Sequence, residues 1–163
     1  MATVAIAAWR EGFRGIVPAA VDPVEAWRPE RISERLRDPG YDERSMLVAA
    51  FGERIAGLIV CGPSRDHRSV TPEGELMALY VQPSQWRRGV GRALVAGAVS
   101  ELIEAGHQQA IVWTLAESPR NIAFYEALGF VLDGGSQRRP AFAETLEVRL
   151  RAALPSLSSG DGM

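Results

Sequence analysis

The sequence predicts an α/β domain in which a mixed β-sheet carries helices on both faces. Three observations lead there. The chain has 163 residues, enough for one domain of ordinary size, and 47% of them are hydrophobic, enough for a core. The apolar periodicity switches between helical and strand-like along the chain, in the order αα, ββ, βαβαβ, β. Turn and cap residues fall where the period changes.

Residues 2–13 (ATVAIAAWREGF) hold apolar residues at helical spacing, closed by Gly12 and Gly15. A second helix, laced with Arg and Glu, is expected over 24–37, with Pro29 starting or interrupting it and Asp38-Pro39-Gly40 as the turn beyond. The runs 46–51 (MLVAAF) and 55–61 (IAGLIVC), separated by Gly52, Glu53 and Arg54, read as a hairpin. A polar loop leads to a strand at 75–81 (ELMALYV), then to a loop at 82–88 opened by Pro83. From Gly89, the residues Val90, Leu94, Val95, Ala98, Val99, Leu102 and Ile103 share one helix face, and Ala105-Gly106 ends the helix. Residues 110–115 (AIVWTL) form a strand. Ser118 and Pro119 then read as N-cap and first helical residue, with Gly129 as the stop. A short strand at 130–132 and an alternating one at 143–150, with one wet face, complete the order. Residues 1–154 are expected to be the domain, and 155–163 (PSLSSGDGM) a frayed polar tail.

Composition excludes several classes. The formal net charge is −2, so there is no overall basic footprint for nucleic acid. Cys61 stands alone, which excludes an internal disulfide and a cysteine-cluster zinc site. With only His67 and His107 besides, no metal is expected. No apolar run approaches the roughly 18 residues of a membrane span, and the apolar N-terminal stretch lacks the basic start of a signal peptide. A cytoplasmic location is the expectation. All 18 basic residues are Arg, which we read as the base composition of the gene.

The segment with most chemistry runs from the strand ELMALYV through QPSQWRR to GVGRALV. A helix N-terminus offers unpaired N–H groups and partial positive charge, so it attracts anions. Gly89 and Gly91 let the backbone approach, and Arg87, Arg88 and Arg92 add charge-assisted donors. The alternative is a plain glycine turn with solvated arginines. Two other phosphate loops are excluded. A Walker loop needs a Lys, and the chain has none. A dinucleotide loop needs a third Gly where Leu94 stands.

Three stretches together resemble the GCN5-related N-acetyltransferases, which bind acetyl-coenzyme A. They are LYVQPSQWRRGVGRALV (79–95), WTLAESPRNIAFYEALGF (113–130) and GELMALYV (74–81). The resemblance covers roughly residues 46–150 and, more loosely, 8–30. It departs in three places: Trp86 stands where a Gln or Arg is usual, Ser118 where an Asn is common, and the chain starts inside or just before the first helix rather than with a strand ahead of it.

The resemblance implies a sheet splayed between its central strands and acetyl-CoA as the acetyl donor. The backbone of Leu79, Tyr80 and Val81 would pair with the pantetheine chain like an added strand, with the Val81 N–H aimed at the thioester oxygen. Trp86, Arg87, Arg88, Gly89, Val90, Gly91, Arg92 and Ala93 would cradle the diphosphate, and Ser118 would add a contact. Tyr125 would be the acid that protonates the departing thiolate, or else a packing residue; Glu75 would be the base, or else a solvent-facing charge at a strand end. Trp86 and Trp113 could wall the tunnel, while Glu25, Trp27, Glu30 and Tyr41 belong to the region forming one wall of the acceptor site. The expected function is direct acetyl transfer to a primary amine, on a small molecule or a peptide N-terminus. The rivals are a non-catalytic acyl-CoA-binding module of the same fold and a toxin acting on aminoacyl-tRNA. Neither membrane nor nucleic acid is an expected partner; a homodimer is admitted.

Overall fold

The computed structural model describes residues 1–18, 21, 24, 28, 30–31, 34, 37, 43–66, 71–140 and 143–155. Within them run α1 (Ala2–Gly12), β1 (Ser45–Phe51), β2 (Arg54–Pro63), β3 (Glu73–Val81), α2 (Val90–Glu104), β4 (Gln109–Leu115), α3 (Pro119–Glu126), β5 (Val131–Arg138) and β6 (Leu146–Ala153). The strands form one sheet in the order β1-β2-β3-β4-β6-β5. Only the central β3–β4 pair is parallel. The α2 crossover makes that pair geometrically available.

Each face of the sheet has its own apolar layer. Val90, Leu94, Val95, Ala98 and Leu102 of α2 pack on Ile59, Cys61, Leu76, Ala110, Val112 and Leu150, joined by Tyr125 and Phe130 from the α3 side. On the other face α1 covers β2 and β3 with Val4, Ala5 and Ala8. In β4, Ala110 and Val112 join the α2 layer, while Ile111 and Leu115 are equally buried outside it. A strand buried on both faces has no polar side to show, which is why AIVWTL reads as a continuous apolar run. Gly74 is a packing requirement of the same layer, because a Cβ there would lie 2.6 Å from Leu102.

The sheet is incomplete at its centre. β3 and β4 pair at Glu73–Gln109, Gly74–Ala110, Glu75–Ile111 and Leu76–Val112, and no further. On the opposite side, β3 carries one extra residue against β2. Val60 faces Ala78 but Cys61 faces Leu76, leaving Met77 as a bulge. The bulge falls where the β3–β4 pairing stops, and a bulge bends and twists its strand, which gives the splay a local cause.

The predicted C-terminal strands need correction. β5 is eight residues long rather than three, since Gly134-Gly135 forms an irregularity within the strand instead of ending it, with Gly134 at φ 84°. The last strand starts at Leu146, not 143, because Ala143 and Glu144 sit at φ 50° and 60° in the preceding turn. The second helix expected at 24–37 falls largely outside the described residues, as does most of the tail.

Candidate active site

The α2 N-terminus is built to receive an anion. Gly89 is its N-cap at φ 83°, a left-handed conformation that favours glycine. Ala93 N–H to Gly89 O, at 3.0 Å, is the first bond of the helix. The amides of Val90, Gly91 and Arg92 therefore precede the helical ladder, no side chain caps them, and the first turn holds no acid. Arg87, Arg88 and Arg92 stand exposed around this turn, and Arg87 itself is left-handed at φ 64°. Gly91 has a second reason to be glycine: a Cβ there would lie 3.3 Å from the Phe124 ring of α3.

Trp86 fastens this loop to the strand. Its indole N–H donates to the Val81 carbonyl at 2.7 Å. The Arg120 guanidinium lies 4.2 Å from the Trp86 ring centroid. The residue that departs from the expected pattern thus ties the end of β3, the cradle and the start of α3 together. Ser118 occupies the α3 N-cap and is buried, but its hydroxyl makes no capping bond, contrary to the sequence expectation.

A cleft of about 100 Å³ lies in the splay between β3 and β4. Leu79, Tyr80, Trp113 and Tyr125 line it, whereas Val81 and the Trp86–Ala93 segment do not. Tyr125 is buried, with edge-on contacts to Phe124 and Phe130 at 5.1 and 5.9 Å. Burial, and secondarily the neighbouring Tyr80, push its hydroxyl well above the ordinary tyrosine range. The phenol therefore holds its proton through neutral and alkaline pH.

Glu75 is not the exposed strand-end charge of the alternative reading; it is 1% exposed. Its Oε2 accepts the Arg65 backbone N–H and Nε–H, both at 3.1 Å, and its Oε1 accepts from Arg65 Nη2. It lies in the paired part of β3, while the cleft lining of that strand starts at Leu76. Sequence reasoning missed Phe13, Asn121, Arg139 and Glu147, all in the cleft wall. The signal for Glu147 was present: Glu147, Arg149 and Arg151 alternate along the wet face of β6. Glu147 is buried beneath Arg139, which donates from Nε at 2.5 Å and from Nη2 at 2.8 Å, and Gln137 donates to it at 2.8 Å. Beside this pair, Arg149 lies 5.5 Å from the Trp113 ring centroid.

The remaining candidates are peripheral. Cys61 is buried outside the cleft lining; burial, and secondarily Glu101, push its thiol up to about 11. His107 is half-buried rather than solvated, with Nδ1 buried and without a hydrogen-bond partner. Glu30 is exposed, whereas Glu25, Trp27, Tyr41 and His67 lie outside the described residues.

An uncapped helix start beside a splayed parallel pair, with a buried phenol at its edge, defines a site for transferring a group from a diphosphate-bearing donor. The acetyltransferase (GNAT) family model matches residues 7–130, and the chain belongs to that family. It is an acetyltransferase with acetyl-CoA as donor. Among curated proteins it is 28% identical over 131 residues to the uncharacterized N-acetyltransferase YuaI of Bacillus subtilis, covering 78% of this chain and 70% of that one. It is 37% identical over 102 residues to the mycothiol acetyltransferase of Kocuria rhizophila, covering 61% of this chain but only 34% of that protein. Among solved structures, the PaiA N-acetyltransferase of Thermoplasma acidophilum in complex with coenzyme A superposes with a TM-score of 0.71 at 16% identity, covering 91% and 88% of the two chains. The ribosomal-protein-S18-alanine N-acetyltransferase of Escherichia coli gives 0.61 at 18% identity, covering 84% and 83%. No helix among the described residues is long and apolar enough to cross a membrane.

Proposed function

We propose that this acetyltransferase moves the acetyl group directly from acetyl-CoA to a primary amine, on a small molecule or a peptide N-terminus, while both are bound. The observation that carries this reading is the splay itself, which opens after Leu76–Val112 with Tyr125 at its edge. The donor's diphosphate fits the Val90–Arg92 amides and the arginines around them, and its amide chain fits beside the edge of β3 beyond Leu76, where β4 no longer pairs with it. Holding donor and acceptor together in this way supplies much of the acceleration.

The chemistry then needs two proton movements. The amine nitrogen bonds to the acyl carbon and gives a proton to water in the open cleft. The C–S bond breaks, and the departing sulfur takes a hydrogen bond and then a proton from Tyr125, which water re-protonates. The Val81 N–H is the donor assigned to the acyl oxygen. Glu75 enters this reading as the anchor of Arg65 rather than as the base its place in the strand suggests, because three donors already occupy its oxygens. Cys61, buried away from the cleft lining, offers no route through an acetylated protein. The cytoplasm, where acetyl-CoA is abundant, is the location this reading assigns.

Initial rates of CoA release, with acetyl-CoA and an amine varied together, test the proposal. Intersecting double-reciprocal lines are expected. Parallel lines, with an acetylated form of the protein isolated after acetyl-CoA alone, would overturn it.

A further inference from the structure

The irregularity in β5 seats an arginine that takes no part in the acyl or proton transfers. Between Leu132, opposite Leu150, and Ser136, opposite Val148, β5 holds three residues where β6 holds only Arg149. Those three are shaped around it. Asp133 Oδ1 accepts the Gly135 N–H at 2.9 Å, and the two carboxylate oxygens accept from Arg149 Nε at 3.1 and 2.8 Å. A side chain at position 135 would collide with the arginine, because a Cβ there would lie 2.7 Å from Arg149 Nε and 3.0 Å from its Cβ. On its other side Arg149 Nη1 donates to Asp66 at 2.7 Å. Arg151 Nε donates to Asp133 as well, at 3.0 Å. Burial opposes the charge of Asp133, but the Gly135 N–H and the two guanidinium groups outweigh it and hold the carboxyl below its ordinary range. The Arg149 side chain is left 17% exposed.

What this seat fixes lies in the cleft. Arg149 stands opposite Trp113 across β4 and β6, and its guanidinium carbon is 5.5 Å from the Trp113 ring centroid. Trp113 is the first residue of β4 after its pairing with β3 stops at Val112, so it has a strand neighbour on the β6 side only. Val112 belongs to the α2 layer, so the Trp113 side chain projects to the opposite face of the sheet, with Phe13 also in the cleft wall. A tryptophan ring turns easily about its second torsion. Here one flank is open to the splay, and the arginine stands at the other. The donor's cradle and Tyr125 lie on the α2 side, so the amine approaches from the face that Trp113 lines.

We propose that Arg149 is a positioning residue: seated in the β5 bulge, it fixes the Trp113 ring as the wall against which the acceptor amine is presented to the acyl carbon. The inference rests on the direct-transfer reading and adds to it a determinant of acceptor use that touches no substrate itself.

The test uses three variants of the full chain. Arg149→Met removes the guanidinium. Gly135→Ala leaves every charge in place and displaces Arg149 by contact alone, so it carries the test if Arg149→Met does not fold. Trp113→Phe identifies the ring. In the first measurement the protein is labelled with 5-fluorotryptophan, and Trp113→Phe assigns the Trp113 fluorine resonance. That resonance should shift or broaden in Arg149→Met and in Gly135→Ala while the other tryptophan resonances stay in place. An unmoved Trp113 resonance, or an equal change in all of them, overturns the proposal. In the second measurement CoA release from acetyl-CoA is followed with benzylamine, cadaverine, β-alanine and a short peptide with a free N-terminus as acceptor probes. For the best of them, kcat/KM for the amine should fall about tenfold in both variants, with the KM for acetyl-CoA unchanged. In the Trp113→Phe background, Arg149→Met should add little, because an arginine acting through this ring has nothing left to position. An amine kcat/KM equal to the parent's, or independent losses that multiply in the double variant, overturns the proposal while amine-dependent CoA release still upholds direct transfer. Release that no probe accelerates overturns direct transfer and the acceptor role with it, so the two failures are distinct.

Discussion

Tyr125 shows how burial shapes a chemical role. Its ring packs edge-on against Phe124 and Phe130 while its side chain lines the cleft. Tyr125→Phe keeps the ring and removes only the hydroxyl. It should lower kcat by roughly 10²-fold or more while leaving the affinity for acetyl-CoA nearly intact. An unchanged kcat across pH 6–9 would return the residue to a packing role. The raised hydroxyl also has a thermodynamic signature. The folded protein keeps this proton at pH values where the unfolded chain has released it, so the resulting stability is complete below pH 10 and is lost as pH rises beyond it. The phenylalanine variant should lose less stability than the parent between pH 8 and 11, measured by denaturant midpoints.

Glycines in the α2 start explain what was legible at the level of elements. Gly89 and Gly91 mark the helix boundary in the sequence, and the structure assigns them different jobs: one adopts φ 83°, the other clears the Phe124 ring. Gly89→Ala should cost about 1 kcal/mol of stability from the left-handed strain alone. It should weaken acetyl-CoA binding more than it slows turnover at saturation, because the cradle is reshaped and Tyr125 is untouched. A KM rise with kcat held is the expected pattern in steady-state assays. A lower kcat at unchanged KM would separate the cradle from the donor.

Helices with caps and strands with continuous apolar runs were readable because their signals are local. The Gly134-Gly135 step was not, since a paired glycine breaks one strand and merely distorts another according to its partner across the sheet. The environment of Glu75 was also hidden. Its clamp, Arg65, comes back across a loop ten residues upstream, and no spacing rule joins them. At the active site the cradle and Tyr125 were visible as motifs. Glu147 left a trace in the alternation of β6, but its pairing with Arg139 left none, because their meeting depends on the antiparallel pairing of β5 with β6.

Over the whole molecule, the chain divides once: among the described residues, those up to Gly106 build α1, β1, β2, β3 and α2, and those after it build β4, α3, β5 and β6. The sheet joins the two parts through four parallel residue pairs. Beyond it, the α2 layer packs on Ala110, Val112 and Leu150 as well as on β2 and β3, Arg149–Asp66 and Arg151–Glu73 reach across, and Arg120 lies over Trp86 beside the cradle.

The short β3–β4 junction therefore works as a seam, and the donor is the thread that closes it. Acetyl-CoA would touch the cradle on one side and Tyr125 on the other, so binding free energy goes directly into holding the two parts in register. In hydrogen exchange, those amides of Met77–Val81 and Trp113–Leu115 that face the splay, rather than β2 or β6, should exchange rapidly in the free protein and slow together, by a common factor, once acetyl-CoA is bound. Protection confined to the cradle amides would mean the seam stays open around its ligand. The opening that makes room for chemistry is thus also where the unliganded sheet is weakest, and the reaction's own donor repairs it at every turnover.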